Sequence, residues 1–328
     1  MKKILPVLFL WLITACSQQA VRPETAMEYA RWFTLTDSSV VVMQPGGGAD
    51  TLKGQYGRLI CMSSSYVGFL DAIGADSTVA GVSGLKFLGH TPSQAVEVGY
   101  DAALDYEAIV QAQPDLFLTY AVGAVEPLYL NKLRELGIKT VILSEHLESH
   151  PLARAEYVKL FGALTGRRAQ ADSVFTLVRD HYLELVQPST TKKVLINIPY
   201  ADQWYIPGGD NFMTRLIEDA GGQLLGTVPG HQESSVIDME TALRYAQEAD
   251  VWLHPGWCRN KDQLLSVHPL FTEFHIDSIW NNTLQTTPGG GNMFWETGPV
   301  RPDLILQDLT SILSGTATSP LNYYLPVE

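Results

Sequence analysis

The stretch RRAQADSVFTLVRDHYLELVQ, residues 167–187, lies near the middle of the chain and contains neither glycine nor proline. Apolar residues recur in it at mixed helical spacing: Ala171, Val174, Leu177, Val178 and Leu185. We predict one continuous helix of about 31 Å, which is the width of a small domain. A single helix of this length can connect two lobes while allowing only modest hinge motion between them.

Strand-like and helix-like stretches alternate on both sides of this helix. Apolar runs at Leu59–Met62 and Leu116–Thr119 precede it, and similar runs at Lys193–Ile198 and Val251–His254 follow it. Alternation of this kind predicts parallel sheets with right-handed crossovers. The predicted fold class is therefore α/β, with two Rossmann-like lobes that have mostly parallel central sheets and are joined by the long helix.

The predicted domain boundaries follow from this alternation. They are a signal peptide at 1–15, a lipidated tether with N-terminal strands at 16–56, an N-terminal α/β lobe at 57–166, the linker helix at 167–187, a C-terminal α/β lobe at 188–315 and a C-terminal tail at 316–328.

The first sixteen residues are typical of a lipoprotein signal. Lys2 and Lys3 precede a short apolar run, Ile4–Ile13, which is followed by Thr14-Ala15-Cys16. The run is shorter than the roughly 20 apolar residues that a membrane-spanning helix needs. Cleavage before Cys16 would leave that residue to carry lipid, and two acyl chains hold a protein stably at a membrane. The alternative is an ordinary secretory signal with an incidental cysteine.

The charge of the chain argues against nucleic acid as a partner. The chain has 22 basic and 35 acidic residues and a formal net charge of −13. Loss of Lys2 and Lys3 with a signal peptide makes this charge more negative. Phosphate binding requires clusters of Lys and Arg, and the sequence contains no basic run. A soluble protein of the cell envelope fits this charge.

Two cysteines remain after Cys16, and they lie in opposite halves of the sequence. A bridge between Cys61 and Cys258 would connect lobes that we expect to move relative to each other. We therefore favour two buried free thiols over a disulfide.

The two halves also share a short pattern. Leu104-Asp105-Tyr106-Glu107 leads through a helix to Asp115, and Ile237-Asp238-Met239-Glu240 leads in the same way to Asp250. The first aspartate of each pattern is a natural helix N-cap. We interpret this as a weak internal repeat, although general α/β sequence patterns can also produce it.

Several further motifs, in their order and spacing, resemble one family. They are Arg58-Leu59-Ile60-Cys61-Met62-Ser63, Val98-Gly99-Tyr100, Pro114-Asp115-Leu116, Leu133–Gly137, Tyr205-Ile206-Pro207-Gly208-Gly209, Asp219-Ala220-Gly221-Gly222, Gly290-Gly291-Asn292, Trp295-Glu296 and Arg301–Leu306. From about Gly57 to Gly315, the sequence is similar to class III periplasmic solute-binding proteins, which serve importers of ferric siderophores, haem and vitamin B12. Within that family it resembles iron-complex binding lipoproteins of Bacteroidetes-type bacteria.

The resemblance implies a ligand cleft between the lobes, at the carboxyl ends of the strands. Aromatic residues in these loops suit flat chelates. The candidate contacts are Tyr66, Tyr100, Tyr120, Trp204, Tyr205, Trp257 and Trp295. For Trp204 taken alone, core packing is an equal alternative. Vitamin B12 binders place tryptophans where this chain has Tyr100 and Tyr120, which counts against that vitamin.

Charged residues near the expected cleft carry two further predictions. Arg259, with His90 and His254, would neutralise an anionic chelate or donate hydrogen bonds to it. The family docks an acidic residue of each lobe onto its permease, which implies Glu126 for the first lobe and Asp262 for the second. Either carboxylate could instead be an ordinary solvated residue.

The predicted function is capture of a metal chelate and its delivery to an ABC permease and its ATPase. The preferred solute is a ferric siderophore, followed by a corrinoid and then haem. The protein is expected to be a monomer in the periplasm, lipid-anchored to the envelope membrane, without a cofactor and without a resident metal.

Two other classes of protein remain as alternatives. A zinc or manganese carrier needs three or four converging His, Asp or Glu ligands, and the positions of the histidines do not show them. A hydrolytic or metal-dependent enzyme is disfavoured because the sequence has no nucleophile elbow, Walker A loop or dinucleotide fingerprint.

Overall fold

The computed structural model of the protein describes residues 27–122, 126–200, 203–318 and 320–328. The predicted signal peptide and the lipid-carrying Cys16 lie outside these ranges. The described chain forms a small N-terminal sheet, two α/β lobes and one long helix that connects the lobes.

The N-terminal sheet consists of three antiparallel strands. They are β1 (Phe33–Leu35), β2 (Ser39–Met43) and β3 (Ala49–Lys53), in the order β1-β2-β3. Phe33, Val40 and Val42 are buried because alternate residues of these strands face the first lobe. The strand-like stretches Arg31–Leu35 and Val40–Met43, separated by the turn-like Thr36-Asp37-Ser38-Ser39, predict β1 and β2, and both are confirmed. Strand β3 is not predicted from the sequence.

The first lobe surrounds a five-stranded parallel sheet with the order β10-β9-β4-β5-β6. Three short 3₁₀ helices complete the lobe, at Asp76–Thr78, Leu85–Phe87 and Glu145–Leu147. The strands are β4 (Leu59–Cys61), β5 (Val79–Val82), β6 (Val96–Glu97), β9 (Leu116–Thr119) and β10 (Thr140–Ile142), with a hairpin of β7 (Gly99–Tyr100) and β8 (Ala103–Leu104). The helices are α1 (Ser64–Ala72), α2 (Tyr106–Gln111), α3 (Tyr129–Glu135), α4 (Pro151–Ala155) and α5 (Tyr157–Thr165).

The predicted connecting helix is confirmed as α6 (Arg168–Leu185). Its buried residues are Ala171, Phe175, Val178 and Tyr182, which recur at intervals of three and four and so share one face. This face packs against α5 of the first lobe and against α11 (Pro302–Leu313) of the second. The buried stripe differs from the predicted apolar set, since Leu177 lies on the exposed side.

The second lobe surrounds a sheet with the order β13-β11-β15-β16-β17, which is parallel except for its last strand. A separate ribbon pairs β12 with β14, and a 3₁₀ helix spans Pro269–Glu273. The strands are β11 (Lys193–Ile196), β12 (Trp204–Ile206), β13 (Gln223–Leu224), β14 (Ser235–Ile237), β15 (Val251–Leu253), β16 (Ser278–Asn281) and β17 (Leu325–Pro326). The remaining helices are α7 (Phe212–Asp219), α8 (Met239–Ala246), α9 (Lys261–Val267) and α10 (Met293–Glu296).

The segment predicted as a C-terminal tail is part of the second lobe. Strand β17 pairs antiparallel with β16 at the edge of the sheet. Tyr323, Tyr324 and Val327 are buried in the core, which accounts for the docking of this segment. The expectation of a tail at 316–328 is thus corrected for this part of the chain.

The internal repeat predicted from sequence has a structural counterpart. Asp105 accepts the Ala108 N–H at 2.9 Å at the start of α2, and Asp238 accepts the Thr241 N–H at 2.8 Å at the start of α8. The later aspartates also correspond, because Asp115 accepts backbone N–H groups before β4 and Asp250 accepts one at the start of β11. Each lobe therefore has one aspartate that caps a helix and a second, later aspartate that binds the backbone at the start of the lobe's first strand.

A hydrophobic core runs through both lobes and includes the buried face of α6. Cys61 and Cys258 are buried free thiols, as predicted. Within the ranges that the structure describes, no helix is long and apolar enough to cross a membrane.

Candidate ligand site between the lobes

The strand orders of the two sheets locate their ligand-binding edges. In the first sheet, the chain reverses its direction of progress between β4 and β9, and in the second it reverses between β11 and β15. Open parallel sheets bind ligands beyond the carboxyl ends of the strands at such switch points. The loops after β4, β9, β11 and β15 are therefore the positions where a site is expected.

A cavity of 940 Å³ lies between the lobes at the switch point of the first sheet. Its volume falls within the upper part of the usual range of small-molecule sites, about 300–1,000 Å³. It is lined by Trp32, Pro45, Ser63, Tyr66, Tyr120, Val122, Glu145, His146 and Leu147, and from the second lobe by Asn211, Gln232, Glu233 and Ser234.

A buried ion pair fixes one part of the cavity wall. The Glu145 carboxylate lies 2.9 Å from the Arg154 guanidinium and accepts a hydrogen bond from the Ser65 hydroxyl at 3.1 Å. Glu145 and Arg154 are only 5% and 8% exposed. The guanidinium also lies over the Phe212 ring, 4.1 Å from its centroid, so the pair connects the first lobe to α7 of the second.

Two phenols and an imidazole on the first-lobe side are neutral at neutral pH, and burial favours this neutral form. Burial raises the pKa of the Tyr66 and Tyr120 phenols. Burial also lowers the pKa of the His146 imidazole, whose ring centroid lies 6.3 Å from that of Tyr120. These groups can exchange hydrogen bonds with a solute without carrying charge at neutral pH. Tyr66 donates its own hydroxyl to the Thr119 carbonyl at 3.2 Å and forms the floor of the cavity.

One predicted contact residue, Trp204, belongs to the core. It is 0% exposed, stacks on Trp252 with ring centroids 6.0 Å apart, and donates its indole N–H to the Ile196 carbonyl at 2.7 Å. The prediction that Trp204 contacts the ligand is therefore corrected in favour of core packing.

Tyr66 and Tyr120 line the cavity as predicted, whereas the remaining predicted contacts are exposed and do not line it. Tyr100 is on the β7–β8 hairpin and Trp295 is on α10. Tyr205, Trp257 and Arg259 are exposed residues of the second lobe. Trp257 and Arg259 follow β15, so they do lie at the carboxyl edge of the second sheet.

The two histidines that were predicted to neutralise a chelate lie in different environments. His254 is 8% exposed, its Nε2 lies 2.7 Å from the Tyr324 hydroxyl, and burial lowers its pKa to about 3. It is neutral and enclosed, so it cannot offer positive charge to a solute. His90 is exposed, and its Nε2 lies 3.6 Å from an Asp76 carboxylate oxygen.

The switch point of the second sheet has an unusual backbone. Asn197 follows β11 with φ 69°, and His254 follows β15 with φ 58°. Both residues adopt a left-handed conformation that non-glycine residues rarely hold and that clusters at functional sites. Tyr200 follows closely and is 78% exposed, yet the sequence reasoning did not select it.

Loops from the carboxyl ends of both sheets contact each other directly. Thr287 donates its hydroxyl to the Phe87 carbonyl at 3.2 Å, and Gly89 N–H donates to the Glu296 carboxylate at 3.0 Å. A Cβ atom on Gly291 would overlap the Phe87 carbonyl oxygen, so this close approach requires glycine there. The side-chain amide of Gln232 also donates to the Leu147 carbonyl beside the cavity.

The two predicted docking carboxylates are on the surface. Glu126 forms an ion pair with Arg134 next to a 380 Å³ cavity beneath the β2–β3 turn. Asp262 lies in the first turn of α9. Among the described residues, no group of three or more His, Cys, Asp or Glu side chains is arranged to hold a metal ion.

The cavity residues that sequence reasoning missed include Trp32, Glu145 and His146. For Glu145 and His146 a signal existed, because they follow β10 and so occupy a carboxyl-end loop. Trp32 comes from the N-terminal segment, for which alternation of parallel strands and helices predicts no position relative to the cleft.

Comparison with known proteins gives one family and several relatives. A sequence model of the family described as "Periplasmic binding protein" matches residues 59–274, which is more than half of the chain. The uncharacterized lipoprotein MJ0878 of Methanocaldococcus jannaschii is 25% identical over 278 residues, which are 78% of this chain and 64% of that relative. The chain therefore spans less than two thirds of the length of this relative.

Two solved structures share the fold. A periplasmic heme binding protein of Pseudomonas aeruginosa aligns with a TM-score of 0.63 and 18% identity, covering 83% of this chain and 98% of that chain. An ABC-type Fe3+-hydroxamate transport system of Saccharomonospora viridis aligns with a TM-score of 0.59 and 16% identity, covering 85% and 99% respectively. These likenesses confirm the predicted two-lobed α/β architecture.

Proposed function

The chain belongs to the periplasmic binding protein family, and we propose that it is the solute-binding lipoprotein of an ABC importer that carries a metal chelate. Proteins of this family bind solutes and are not enzymes, which agrees with the prediction made from the sequence. The solute that the site supports best is a ferric siderophore or a related iron complex.

The observation that carries this proposal is the 940 Å³ cavity at the switch point of the first sheet. It combines aromatic rings with a few hydroxyl, amide and imidazole groups. Mostly apolar pockets with a small number of placed polar groups are typical of small-molecule sites. The size and the aromatic lining suit a bulky organic chelate better than a bare ion.

The charge of the lining narrows the chelate class. Glu145 and Glu233 line the cavity, and among the described lining residues there is no Lys or Arg. Glu145 is neutralised by Arg154. Arg259, which was expected to neutralise an anionic solute, does not line the cavity. A ferric tris-hydroxamate is neutral, while a ferric tris-catecholate carries several negative charges. The lining therefore supports a hydroxamate-type complex over a catecholate.

Haem is the second candidate solute, and a specific pair of residues favours it. His146 and Tyr120 lie side by side on the cavity wall, and imidazole and phenolate are both axial ligands of haem iron. A corrinoid remains a third candidate through the resemblance to vitamin B12 binders. The structural neighbours include a heme binding protein and an Fe3+-hydroxamate transport system, which supports the chelate class.

The proposed partners follow from the family and the surface. Lipid on Cys16 would hold the protein at the envelope membrane, which is consistent with the lipoprotein relative. Glu126 and Asp262 would dock the two lobes onto a permease driven by its ATPase, with the protein acting as a monomer. Because Glu126 is paired with Arg134, docking would replace this intramolecular partner by a basic group of the permease.

Calorimetric titration of the purified protein tests the proposal. The probes are a ferric tris-hydroxamate, a ferric tris-catecholate, haemin and cyanocobalamin, with the metal-free hydroxamate as control. We expect micromolar or tighter binding of the ferric hydroxamate and weaker binding of the catecholate. Absence of binding for all four chelates at micromolar concentrations would contradict the transport function, and preference for haemin would favour the second candidate.

A further inference from the structure

The N-terminal segment 27–53 lies outside the residues that match the family, yet it reaches the ligand cavity. The match begins at residue 59. Trp32, just before β1, and Pro45, just after β2, both line the cavity between the lobes. The segment therefore contributes two side chains, from two different connections of its sheet, to the same cavity.

Two buried carboxylates hold this segment against the first lobe. Glu156, which is fully buried, accepts the backbone N–H groups of Glu28, Tyr29 and Ala30 at 2.8 to 3.0 Å. Glu148 accepts the backbone N–H groups of the next two residues, at 2.8 and 3.1 Å. Hydrogen bonds to a charged acceptor are stronger than those between neutral groups. Five consecutive amides are thus fixed by the lobe itself.

The position of Trp32 is consequently well defined. Its N–H donates to Glu148 at 3.1 Å and its carbonyl accepts the Met43 N–H at 2.9 Å, so both sides of its backbone are held. On the next residue, the Phe33 ring packs on Tyr157 with centroids 4.7 Å apart. A contact residue held in this way loses little conformational entropy when a solute binds.

The indole of Trp32 has an unmet hydrogen-bonding requirement. Its Nε1 is buried and has no hydrogen-bond partner among the residues that the structure describes. A buried donor without a partner is destabilising, and tryptophan indoles usually find an acceptor. The buried indoles of Trp204 and Trp252 illustrate this, since each donates to a backbone carbonyl at 2.7 and 2.8 Å.

We infer that segment 27–53 forms one wall of the ligand site and that Trp32 is a specificity-determining contact. The solute class it selects has an apolar or aromatic face for the ring and an acceptor oxygen for the indole N–H. A chelate whose metal is bound by oxygen donors on an organic frame meets both conditions. This inference rests on the proposed function and names one residue that sets the affinity of its site.

The test compares Trp32→Phe and Trp32→Ala with the unchanged full-length protein. The probe is the chelate that binds best in the four-ligand titration, and the thermal midpoint of each variant is measured in parallel. Trp32→Phe keeps an aromatic face but removes the donor, so affinity should fall about 3- to 10-fold. Trp32→Ala removes both and should weaken binding by at least about 10-fold.

The matched control is Trp280→Phe. Trp280 lies on β16, does not line the cavity, and donates its indole N–H to the Ser278 hydroxyl at 2.9 Å. This variant should leave the affinity unchanged while removing an indole N–H elsewhere. If Trp32→Ala fails to fold, Trp32→Phe still decides the question, because it preserves most of the apolar surface.

Three results are distinguishable. Weakened binding in both Trp32 variants with Trp280→Phe unchanged supports the inference. Unchanged affinity in a folded Trp32→Phe and Trp32→Ala overturns it and leaves the proposed function standing. If the unchanged protein binds none of the four chelates, the proposed function fails and the role of Trp32 fails with it.

Discussion

The two lobes present unlike surfaces at the carboxyl ends of their sheets. In the first lobe, Tyr66 and the Glu145–Arg154 pair are buried and held by hydrogen bonds. In the second lobe, Trp257 is 59% exposed and Tyr200 is 78% exposed, next to two residues with left-handed backbone. One half of the cleft is packed and the other is open.

This difference indicates a division of work between the lobes. A wall whose side chains are already fixed loses little entropy on binding, so the first lobe should set most of the affinity. Exposed aromatic rings gain most when a solute or the opposite lobe covers them, since each buries 150–250 Å². The second lobe should therefore contribute contacts that form mainly when the cleft is filled.

The largest expected change is a loss of stability when Arg154, the cation of the buried pair in the first lobe, is removed. Arg154→Met leaves the Glu145 carboxylate buried without its ion-pair partner and removes the guanidinium from the Phe212 ring. The free energy of unfolding should fall by about 3–5 kcal/mol. Chemical denaturation measures this loss.

The control for that prediction is the double variant Glu145→Gln with Arg154→Met, which removes both charges of this pair. It should recover most of the lost stability, because replacing both partners of a buried pair is often nearly neutral. A loss below about 1 kcal/mol in the single variant would show that the first-lobe wall does not depend on the pair.

Acid should act on the second lobe through His254. Burial lowers its pKa to about 3, from an ordinary value near 6.5, so the unfolded chain binds a proton that the folded chain does not. Stability is therefore lost as pH falls from about 6.5 towards 3, and the loss at pH 5 is about 2 kcal/mol. Chemical denaturation between about pH 7.5 and about pH 5 measures how the free energy of unfolding changes with pH, because this range crosses the ordinary histidine pKa.

His254→Asn should reduce this acid slope without removing it, because burial also lowers the pKa of His150 to about 4. Asparagine tolerates the left-handed backbone at position 254. The control is His275→Asn, which removes an exposed histidine of the same lobe and should leave the slope in place. An unchanged slope in His254→Asn would mean that other groups account for the acid sensitivity.

A pair of aromatic substitutions compares the two halves in binding. Tyr120→Ala removes a ring from the cavity wall and should weaken chelate binding by about 10-fold. Trp257→Ala removes an exposed ring at the edge of the second sheet and should weaken it by only about 2- to 3-fold. Calorimetry on both variants gives the ratio. A larger loss for Trp257→Ala would reverse the proposed division of work.

Much of the architecture follows from sequence because it depends on local patterns. The long helix lacks Gly and Pro, and the strands that flank it are short apolar runs. Strand β17 could not be found in this way, because it has two residues, one of them proline, and depends on pairing with β16. The same holds for β6, which is also two residues long.

The site was harder to predict because most of its contacts are distant in sequence. Tyr66 and Tyr120 were found since they follow strands of the first sheet. The burial of Trp204 could have been predicted from strand alternation, which turns Trp204 and Ile206 inward and Tyr205 outward. Nothing local places Trp32 on the cavity, because carboxylates more than one hundred residues away hold it there.

The smallest effects concern the repeated helix caps, which test whether the two lobes differ in stability as well as in surface. Asp105→Ala removes the cap of α2 and should cost about 1 kcal/mol, or roughly 2 °C in the melting temperature. Asp238→Ala removes the matching cap of α8. The hydrogen bond from the Thr241 N–H lowers the pKa of Asp238. The loss of stability caused by Asp238→Ala should therefore be largest above the ordinary aspartate pKa and should disappear in strong acid. Because the larger of the two hydrophobic clusters runs through both lobes, calorimetry should show a single transition that each variant lowers, with Asp→Asn controls near the unchanged protein. Two transitions, each moved by only one of the variants, would show that the lobes unfold separately.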